Sequence, residues 1–234
     1  MRAALYAIPV PLGGAPQDCL PSSTLATVRT LRDFVVENAK SARAFLALAG
    51  IPCPVRELRI EQLSVDTPAS ALADLLCPLR EGRALGLLSE AGCPGVADPG
   101  AGLVEAAHAA GFKVVPLVGP SSLLLALMAS GLEGQRFAFR GYLPRERSAR
   151  ESRIRDIEAR SRIERETQIF IETPYRNDAL FASLLAVCAP NSRLCIASDL
   201  TLATETIAMR RISAWRRAPA TPGKRPAVFL LQAG

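Results

Sequence analysis

The sequence predicts an α/β protein of two domains, the first with a mostly parallel sheet and the second with a mixed sheet. In the first half, apolar runs of strand length alternate with helical segments, which is typical of parallel sheets. In the second half, strand candidates follow one another without intervening helices, which favours some antiparallel pairing. The predicted boundary gives an N-terminal domain of residues 1–118 and a C-terminal domain of residues 119–234.

In the first domain, short apolar runs predict the strands and helical spacing predicts the segments between them. The predicted strands are 5–8, 33–36, 84–88 and 113–117. The predicted helices are 40–49, 70–80 and 102–110. Gly111 is a natural end for the third helix, because glycine readily adopts the left-handed conformation that follows a helix.

The second domain begins with a turn at 119–122 that starts a predicted helix over 123–130. Further predicted helices are 148–166 and 175–188. The predicted strands are 137–140, 168–172, 193–197, 206–212 and 228–231.

Composition excludes several classes of protein. Hydrophobic residues make up 49% and charged residues 21% of the 234 residues, as in globular proteins rather than disordered or fibrous chains. Aromatic residues are only 5%, which argues against an extended base-stacking platform. The single histidine, His108, and six cysteines without a C-x-x-C pair provide no metal-ligand pattern, so we expect no metal. Free thiols in a reducing cytosol are expected.

One uncharged stretch, residues 114–132, is long enough to require a membrane check. Pro116, Gly119 and Pro120 would interrupt a spanning helix, so we expect a buried strand, a turn and a buried helix instead. Two prolines within the first eleven residues also argue against a secretory signal. We therefore expect a cytoplasmic protein without a membrane partner.

Positive charge is concentrated in the second half of the chain. Residues 136–234 carry 18 basic and 10 acidic side chains, a net charge of +8, whereas the whole chain carries +6. This excess predicts an anionic partner, such as RNA or a polycarboxylate. Over 145–166, where arginine and glutamate alternate, ion pairs within a helix are the stronger explanation. The acid-free cluster 210–225 is the better candidate for RNA contact.

Three loops, residues 9–14, 89–100 and 118–122, are the candidate ligand site. Each follows a predicted strand of one parallel sheet, so the three should meet at one edge. Glycine and proline bring the main chain close to a ligand, and Ser89, Glu90 and Asp98 add polar groups. The loop 89–100 is longer than an ordinary strand–helix connection, which argues against a mere linker.

Several runs of the sequence carry a resemblance to a known family. They are LLSEAGCPGVADPGAGLV, VVPLVGPSSLLLALMASGL, FAFRGYLP, IFIETPYR and CIASDLTLATE. In order, and over nearly the whole chain, they resemble the tetrapyrrole methylase superfamily of class III S-adenosylmethionine-dependent methyltransferases. Within it, they are most similar to the branch that methylates ribose 2′-hydroxyls of small-subunit ribosomal RNA. The resemblance implies a homodimer, with S-adenosylmethionine in a cleft between the two domains.

The resemblance also implies which residues bind the cofactor. In the N-terminal half and the turn after it they are Pro11, Gly13, Ser89, Glu90, Ala91, Gly92, Val96, Ser121 and Ser122. In the C-terminal half they are Ile171, Glu172, Ala197, Ser198, Pro226 and Ala227.

Transfer to a ribose hydroxyl requires an in-line nucleophile and removal of its proton. Glu37, Glu90 and Lys40 are candidates for that step, with Glu172 ranked behind them. We favour Glu90 because it lies on the most distinctive loop; the alternative is a carboxylate that caps the following turn. Arg176 is predicted to bind substrate phosphate or carboxylate, or alternatively to pair with Glu172.

The chain departs from the usual pattern of this branch at residues 37–40, 90, 93 and 202. Three functions therefore stay open. The first is methylation of RNA, ribosomal RNA by resemblance. The second is methylation of a small anionic molecule such as a tetrapyrrole, and the third is a non-catalytic module that binds S-adenosylmethionine.

Overall fold

A computed structural model describes residues 3–234. The chain divides into two compact units, one extending to Ser121 and the other running from Ser122 to Gly234. The boundary predicted after residue 118 lies three residues before this division.

The first unit contains a five-stranded, fully parallel sheet, which confirms the predicted sheet type. Its strands are β1 (Ala4–Ile8), β2 (Asp33–Val36), β3 (Arg59–Gln62), β4 (Leu85–Leu88) and β5 (Lys113–Pro116). They pair in the order β3-β2-β4-β1-β5. Strands β2 and β4 are buried along their whole length, as their apolar runs predict. Strand β3 was not predicted: it lies at the sheet edge, and its polar sequence is mostly exposed.

Helices cover both faces of this sheet, and two apolar clusters form its core. The helices are α1 (Pro16–Cys19), α2 (Ser22–Thr30), α3 (Ala39–Leu48), α4 (Ala69–Leu75), α5 (Cys77–Arg80) and α6 (Ala101–Ala109), with a 3₁₀ turn at Val55–Glu57. The single helix predicted over 70–80 is wrong. It is interrupted at Leu76, because Pro78 cannot donate a backbone hydrogen bond within a continuous helix.

The second unit contains a mixed five-stranded sheet, which confirms the prediction for this half. Its strands are β6 (Phe137–Tyr142), β7 (Thr167–Glu172), β8 (Arg193–Ser198), β9 (Thr206–Arg211) and β10 (Ala227–Gln232). Their order is β6-β7-β10-β8-β9. Strands β6 and β7 are parallel, and the other neighbours are antiparallel.

Four helices accompany this sheet: α7 (Ser122–Ser130), α8 (Arg147–Glu164), α9 (Asn177–Val187) and α10 (Ile212–Arg217). The helix predicted over 175–188 begins later than expected, because Pro174–Arg176 forms a 3₁₀ turn first. Helix α10 was not predicted; its buried Trp215 joins the core of this unit.

The arginine–glutamate alternation in α8 is only partly explained by ion pairs within the helix. Arg147 and Glu151 form such a pair at 2.8 Å. Arg150 and Glu158 are instead buried against the rest of the unit. There, Arg150 Nε donates to Ser183 Oγ and Glu158 Oε1 accepts from Ser192 Oγ. These two charged side chains therefore hold α8 in place.

Within residues 3–234, no helix is both long and apolar enough to cross a membrane. The uncharged stretch 114–132 consists of strand β5, a loop and helix α7, as expected.

Candidate active site

The three loops expected to meet at the edge of the first sheet do contact one another. Val10 and Gly92 exchange two backbone hydrogen bonds, of 2.8 and 2.9 Å. The Cys93 thiol lies 3.5 Å from the carbonyl oxygen of Pro120. A side chain at Gly119 would lie 2.4 Å from Cβ of Pro9. The loops 9–14, 89–100 and 118–122 therefore form one continuous structure, which confirms their predicted convergence.

The loop 89–100 needs its glycines for conformational reasons. Gly92, Gly95 and Gly100 have φ values of 74°, 79° and 137°, a region in which other residues are strained. Ala97 also has a positive φ, of 65°, although it has a side chain. Backbone strain of this kind is commonly found at functional sites. The loop thus has a fixed, unusual path directly after the buried strand β4.

Three carboxylates, Glu37, Glu90 and Asp98, form an acidic cluster at this edge of the sheet. Glu37 Oε2 accepts a hydrogen bond of 3.1 Å from the backbone N–H of Glu90. Glu90 Oε1 accepts one of 3.2 Å from Ser41 Oγ. Glu90 itself therefore bonds to a side chain of α3, rather than capping the turn that follows it.

The pKa of Asp98 is raised to about 6. The main cause is burial, and the charge of Glu37 contributes next, while Glu90 adds a smaller effect and the Ser89 hydroxyl opposes the rise. A carboxyl group with such a pKa can exchange a proton near neutral pH. In the sequence, Asp98 stands out only as a charged residue of the loop 89–100. The burial that raises its pKa cannot be predicted from the residues next to it in the chain.

The other N-terminal candidates lie on or beside these loops. Ser89 is buried, and its hydroxyl donates to the carbonyl oxygen of Ala91 over 3.3 Å. Lys40 lies in the first turn of α3, where its backbone N–H is capped by Asn38 Oδ1 at 2.9 Å and its side chain is exposed. Val96 is 45% exposed. The remaining candidates of this part are Pro11, Gly13, Ala91, Gly92 and Ser121.

Burial raises the pKa of the Cys93 thiol. The thiol therefore stays protonated near neutral pH, which makes it a poor nucleophile.

In the second unit, strand register brings the C-terminal candidates together. Glu172, Ala227 and Ser198 lie side by side on β7, β10 and β8. Ile171 and Ala197 form the next row, on either side of Val228. Pro226 precedes β10, and its carbonyl oxygen accepts from the Asp199 N–H at 3.1 Å. Ser122 is the first residue of α7. Sequence-distant residues 171–172, 197–198 and 226–227 are thus neighbours at one end of the sheet.

Arg176 forms the ion pair with Glu172 that was expected as the alternative to binding a substrate anion. Its Nη2 lies 2.6 Å from Glu172 Oε2, and the Glu172 side chain is fully buried. The same nitrogen donates to the carbonyl oxygen of Leu143 at 3.0 Å. Arg176 also lines a cleft of about 490 Å³ in the second unit.

Sequence reasoning missed several residues around these sites. Asn38 and Ser41 organise the start of α3 beside Glu90. Tyr142 and Arg145 line the same cleft as Arg176. The only signal in the sequence for these four residues was that they lie at or shortly after the end of a strand. In the part of the chain that the structure describes, no group of three His, Cys, Asp or Glu residues is arranged to hold a metal.

No family model matches the chain. Among curated proteins, it is similar to ribosomal RNA small subunit methyltransferase I of Vibrio cholerae, with 32% identity over 209 residues, covering 87% of this chain and 67% of the relative. The relative of the same name from Pseudomonas aeruginosa is 30% identical over 212 residues, covering 87% and 68%. That from Xylella fastidiosa is 34% identical over 180 residues, covering 77% and 63%. The chain thus spans about two thirds of the length of these relatives.

Solved structures share the fold at low sequence identity. Diphthine synthase superposes with a TM-score of 0.68 at 16% identity, covering 99% of this chain and 90% of that protein. The methyltransferase CobJ gives a TM-score of 0.65 at 20% identity, covering 99% and 95%. Uroporphyrin-III-C-methyltransferase from Thermus thermophilus gives 0.56 at 21% identity, covering 99% and 93%.

Proposed function

This chain belongs to the ribosomal RNA small subunit methyltransferase I family, within the tetrapyrrole methylase superfamily, and from that premise we propose that it methylates ribosomal RNA. The methyl donor is S-adenosylmethionine, and the acceptor is a ribose 2′-hydroxyl. The arginine excess of residues 136–234 supports an RNA substrate, because arginine pairs well with phosphate.

The residues of the first unit fit S-adenosylmethionine chemically. Carboxylates accept hydrogen bonds from ribose hydroxyl groups, and their negative charge suits a sulfonium cation. The acidic cluster provides such groups beside loops whose glycines leave the main chain accessible. Pro11, Gly13, the residues 89–92 and Val96 would hold the donor from this unit. The residues around Ala227 in the second unit are donor contacts only by the family resemblance, and they stay a prediction. When bound, S-adenosylmethionine supplies a methyl group that is already activated for transfer.

We propose Glu90 and Asp98 as the carboxylates that accept the hydroxyl proton. Glu90 is exposed on the loop and is oriented by Ser41. Asp98 has a pKa of about 6, close to the value that suits a general base at neutral pH. Lys40 stays the third candidate for this proton, since its side chain is exposed in the first turn of α3. Glu172 is less suitable, because it is buried and paired with Arg176, which would bind substrate phosphate.

The observation that carries this mechanism is the raised pKa of Asp98 within a cluster built by converging loops. The test is to incubate the protein with methyl-labelled S-adenosylmethionine and RNA from cells that lack the enzyme, and separately with a metabolite extract. We expect label in ribosomal RNA. A 2′-O-methyl group blocks alkaline cleavage at the neighbouring phosphodiester, so the label should persist in an alkali-resistant dinucleotide.

Other results of this labelling experiment would support a different function or a different proton acceptor. Label in the metabolite extract would replace RNA by a small acceptor. Saturable binding of S-adenosylmethionine without transfer to either pool would leave a binding module. If Glu90→Gln transfers methyl groups at an unchanged rate and Asp98→Asn loses most of its rate, Asp98 alone accepts the proton.

A ribosomal RNA substrate further implies action in the cytoplasm. The homodimer expected from the family resemblance stays a prediction, and light scattering of the purified protein would test it.

A further inference from the structure

A cleft of about 490 Å³ lies where strands β6 and β7 end in the second unit. We name it the tyrosine–arginine cleft; it is lined by Tyr142, Leu143, Pro144, Arg145, Thr173 and Arg176. The two strands are parallel neighbours, so the segments that follow them leave the same edge of the sheet. The carboxyl ends of parallel strands are common ligand sites.

The cleft is positively charged. Arg145 and Arg176 both line it, and none of its lining residues is acidic. The Arg145 side chain is exposed and has no ion-pair partner within the described residues. Its position is nevertheless defined, because the buried Arg150 donates from Nη1 to the Arg145 carbonyl oxygen at 2.8 Å. An arginine held at its backbone with an unpaired guanidinium is well suited to grip a phosphate.

Arg176 is anchored differently. Both of its contacts, with Glu172 and Leu143, use Nη2. Its Nε and Nη1 have no partner among residues 3–234, and they remain available as donors. The Glu172 carboxylate offsets part of the Arg176 charge, so Arg145 is the main attraction for an anion.

One aromatic ring lines the cleft with these arginines, and a second is exposed on the adjoining 3₁₀ turn. Tyr142 lines the cleft and is 56% exposed. Tyr175, in the 3₁₀ turn Pro174–Arg176, is 83% exposed. The Lys224 ammonium group lies 5.8 Å from the centre of the Tyr175 ring and adds another positive charge. Exposed rings next to arginines are the combination that binds single-stranded nucleic acid, because bases stack on rings while cations hold the backbone.

We propose that the tyrosine–arginine cleft binds one nucleotide of a single-stranded segment of the RNA substrate, with Arg145 on its phosphate and Tyr142 stacked on its base. The inference rests on the proposed function, and it adds which residues hold the RNA and that the bound segment is unpaired. A duplex buries its base faces and could not offer one to Tyr142.

The test measures the affinity of the full chain for fluorescein-labelled oligouridylate across a salt series. Arg145→Gln should reduce the slope of log affinity against log salt by about 0.7, the amount expected for one lost phosphate contact on a single strand. Tyr142→Ala should weaken binding about tenfold, and Tyr142→Phe should bind nearly as well as the unmodified protein, because a ring suffices for stacking. A duplex RNA should bind with no dependence on Tyr142.

Arg162→Gln is the matched control. Arg162 is also exposed, but it lies about 22 Å along α8 from Arg147, the first residue of that helix and two positions after Arg145. The Arg162→Gln variant should therefore change the affinity for oligouridylate less than Arg145→Gln does. If Arg145→Gln and Tyr142→Ala bind oligouridylate as tightly as the unmodified protein does, the inference is rejected. It is also rejected if they weaken S-adenosylmethionine binding instead, since the cleft would then belong to the methyl donor. Failure of the proposed function would be seen in a different measurement, because the unmodified protein would then transfer no methyl group to RNA.

Discussion

Glu37 accepts a hydrogen bond from the backbone N–H of Glu90 across 3.1 Å, although the two residues are 53 positions apart in the chain. The contact follows from the sheet, in which β2 and β4 are parallel and Val36 lies beside Leu88. Residues that follow these two strands must therefore emerge side by side. The bond fixes the start of the loop 89–100 and places two carboxylates where they act on Asp98.

The first prediction concerns the pH dependence of methyl transfer. Asp98 can accept a proton only when ionised, and its pKa is raised from 3.8 to about 6. The logarithm of the rate should therefore rise with unit slope below about pH 6 and level off above it. Asp98→Asn should abolish this inflection and lower the rate about 100-fold, measured with labelled S-adenosylmethionine. An inflection that persists in Asp98→Asn would assign it to another group.

The same pKa predicts an effect on stability with a defined sign. Because the folded protein holds the Asp98 proton more tightly than the unfolded chain, stability should fall as pH rises from about 4 to 6 and stay lower above that range. Asp98→Asn should remove this contribution, which is on the order of 1 kcal/mol after allowance for solvent screening. Urea unfolding of both proteins at pH 4 and pH 7 would measure it. An equal change for both proteins between the two pH values would contradict it.

A third prediction separates the charge of Glu37 from its hydrogen bond. Glu37→Gln keeps a carbonyl oxygen that can accept from the Glu90 N–H but removes the charge that raises the pKa of Asp98. The inflection of the rate profile should therefore move below pH 6 without loss of the plateau rate. Glu105→Gln, a change at an exposed position on α6, should leave the inflection in place. Equal profiles for the two variants would show that Glu37 has no electrostatic effect on Asp98.

Sequence reasoning succeeded where strand order alone determines position. The three loops were expected to converge because each follows a parallel strand, and the bonds between Val10 and Gly92 confirm it. Properties that depend on burial could not be predicted from the sequence. The pKa of Asp98 depends on how deeply the loop buries it and on Glu37, which is distant in sequence. Strand β3 was missed for a related reason, since an edge strand needs no apolar pattern.

The fourth prediction concerns the ion pair between Arg176 and the buried Glu172. Arg176→Ala would leave that carboxylate buried without its partner, which should cost about 3 kcal/mol of the stability of the second unit. Adding Glu172→Gln should restore part of the loss, because a neutral amide is cheaper to bury. The only tryptophan, Trp215, is buried in this unit, so its fluorescence during urea unfolding reports the effect. Arg162→Ala, at an exposed position, should change stability by less than about 0.5 kcal/mol. Equal stability of Arg176→Ala and Arg162→Ala would mean that the ion pair contributes nothing.

The last prediction tests whether the convergence of the loops is needed to bind the methyl donor. A Cβ at Gly119 would lie 2.4 Å from Cβ and 2.8 Å from Cγ of Pro9, and 2.9 Å from a methyl carbon of Leu20. Two of these atoms belong to a proline ring, which cannot rotate away, so the loops 9–14 and 118–122 must separate. Gly119→Ala should therefore cost about 1–3 kcal/mol in stability, seen as a lower melting temperature by circular dichroism.

The same separation should weaken S-adenosylmethionine binding, because Gly92 is bonded to Val10 in the loop that would move. Calorimetric titration of Gly119→Ala should show this as a raised Kd. Gly134→Ala is the matched control, since a Cβ at Gly134 meets no atom within 4 Å and its φ is not positive. A Gly119→Ala protein that melts at a lower temperature but binds S-adenosylmethionine with unchanged Kd would show that the packing of Pro9 on Gly119 supports the fold alone.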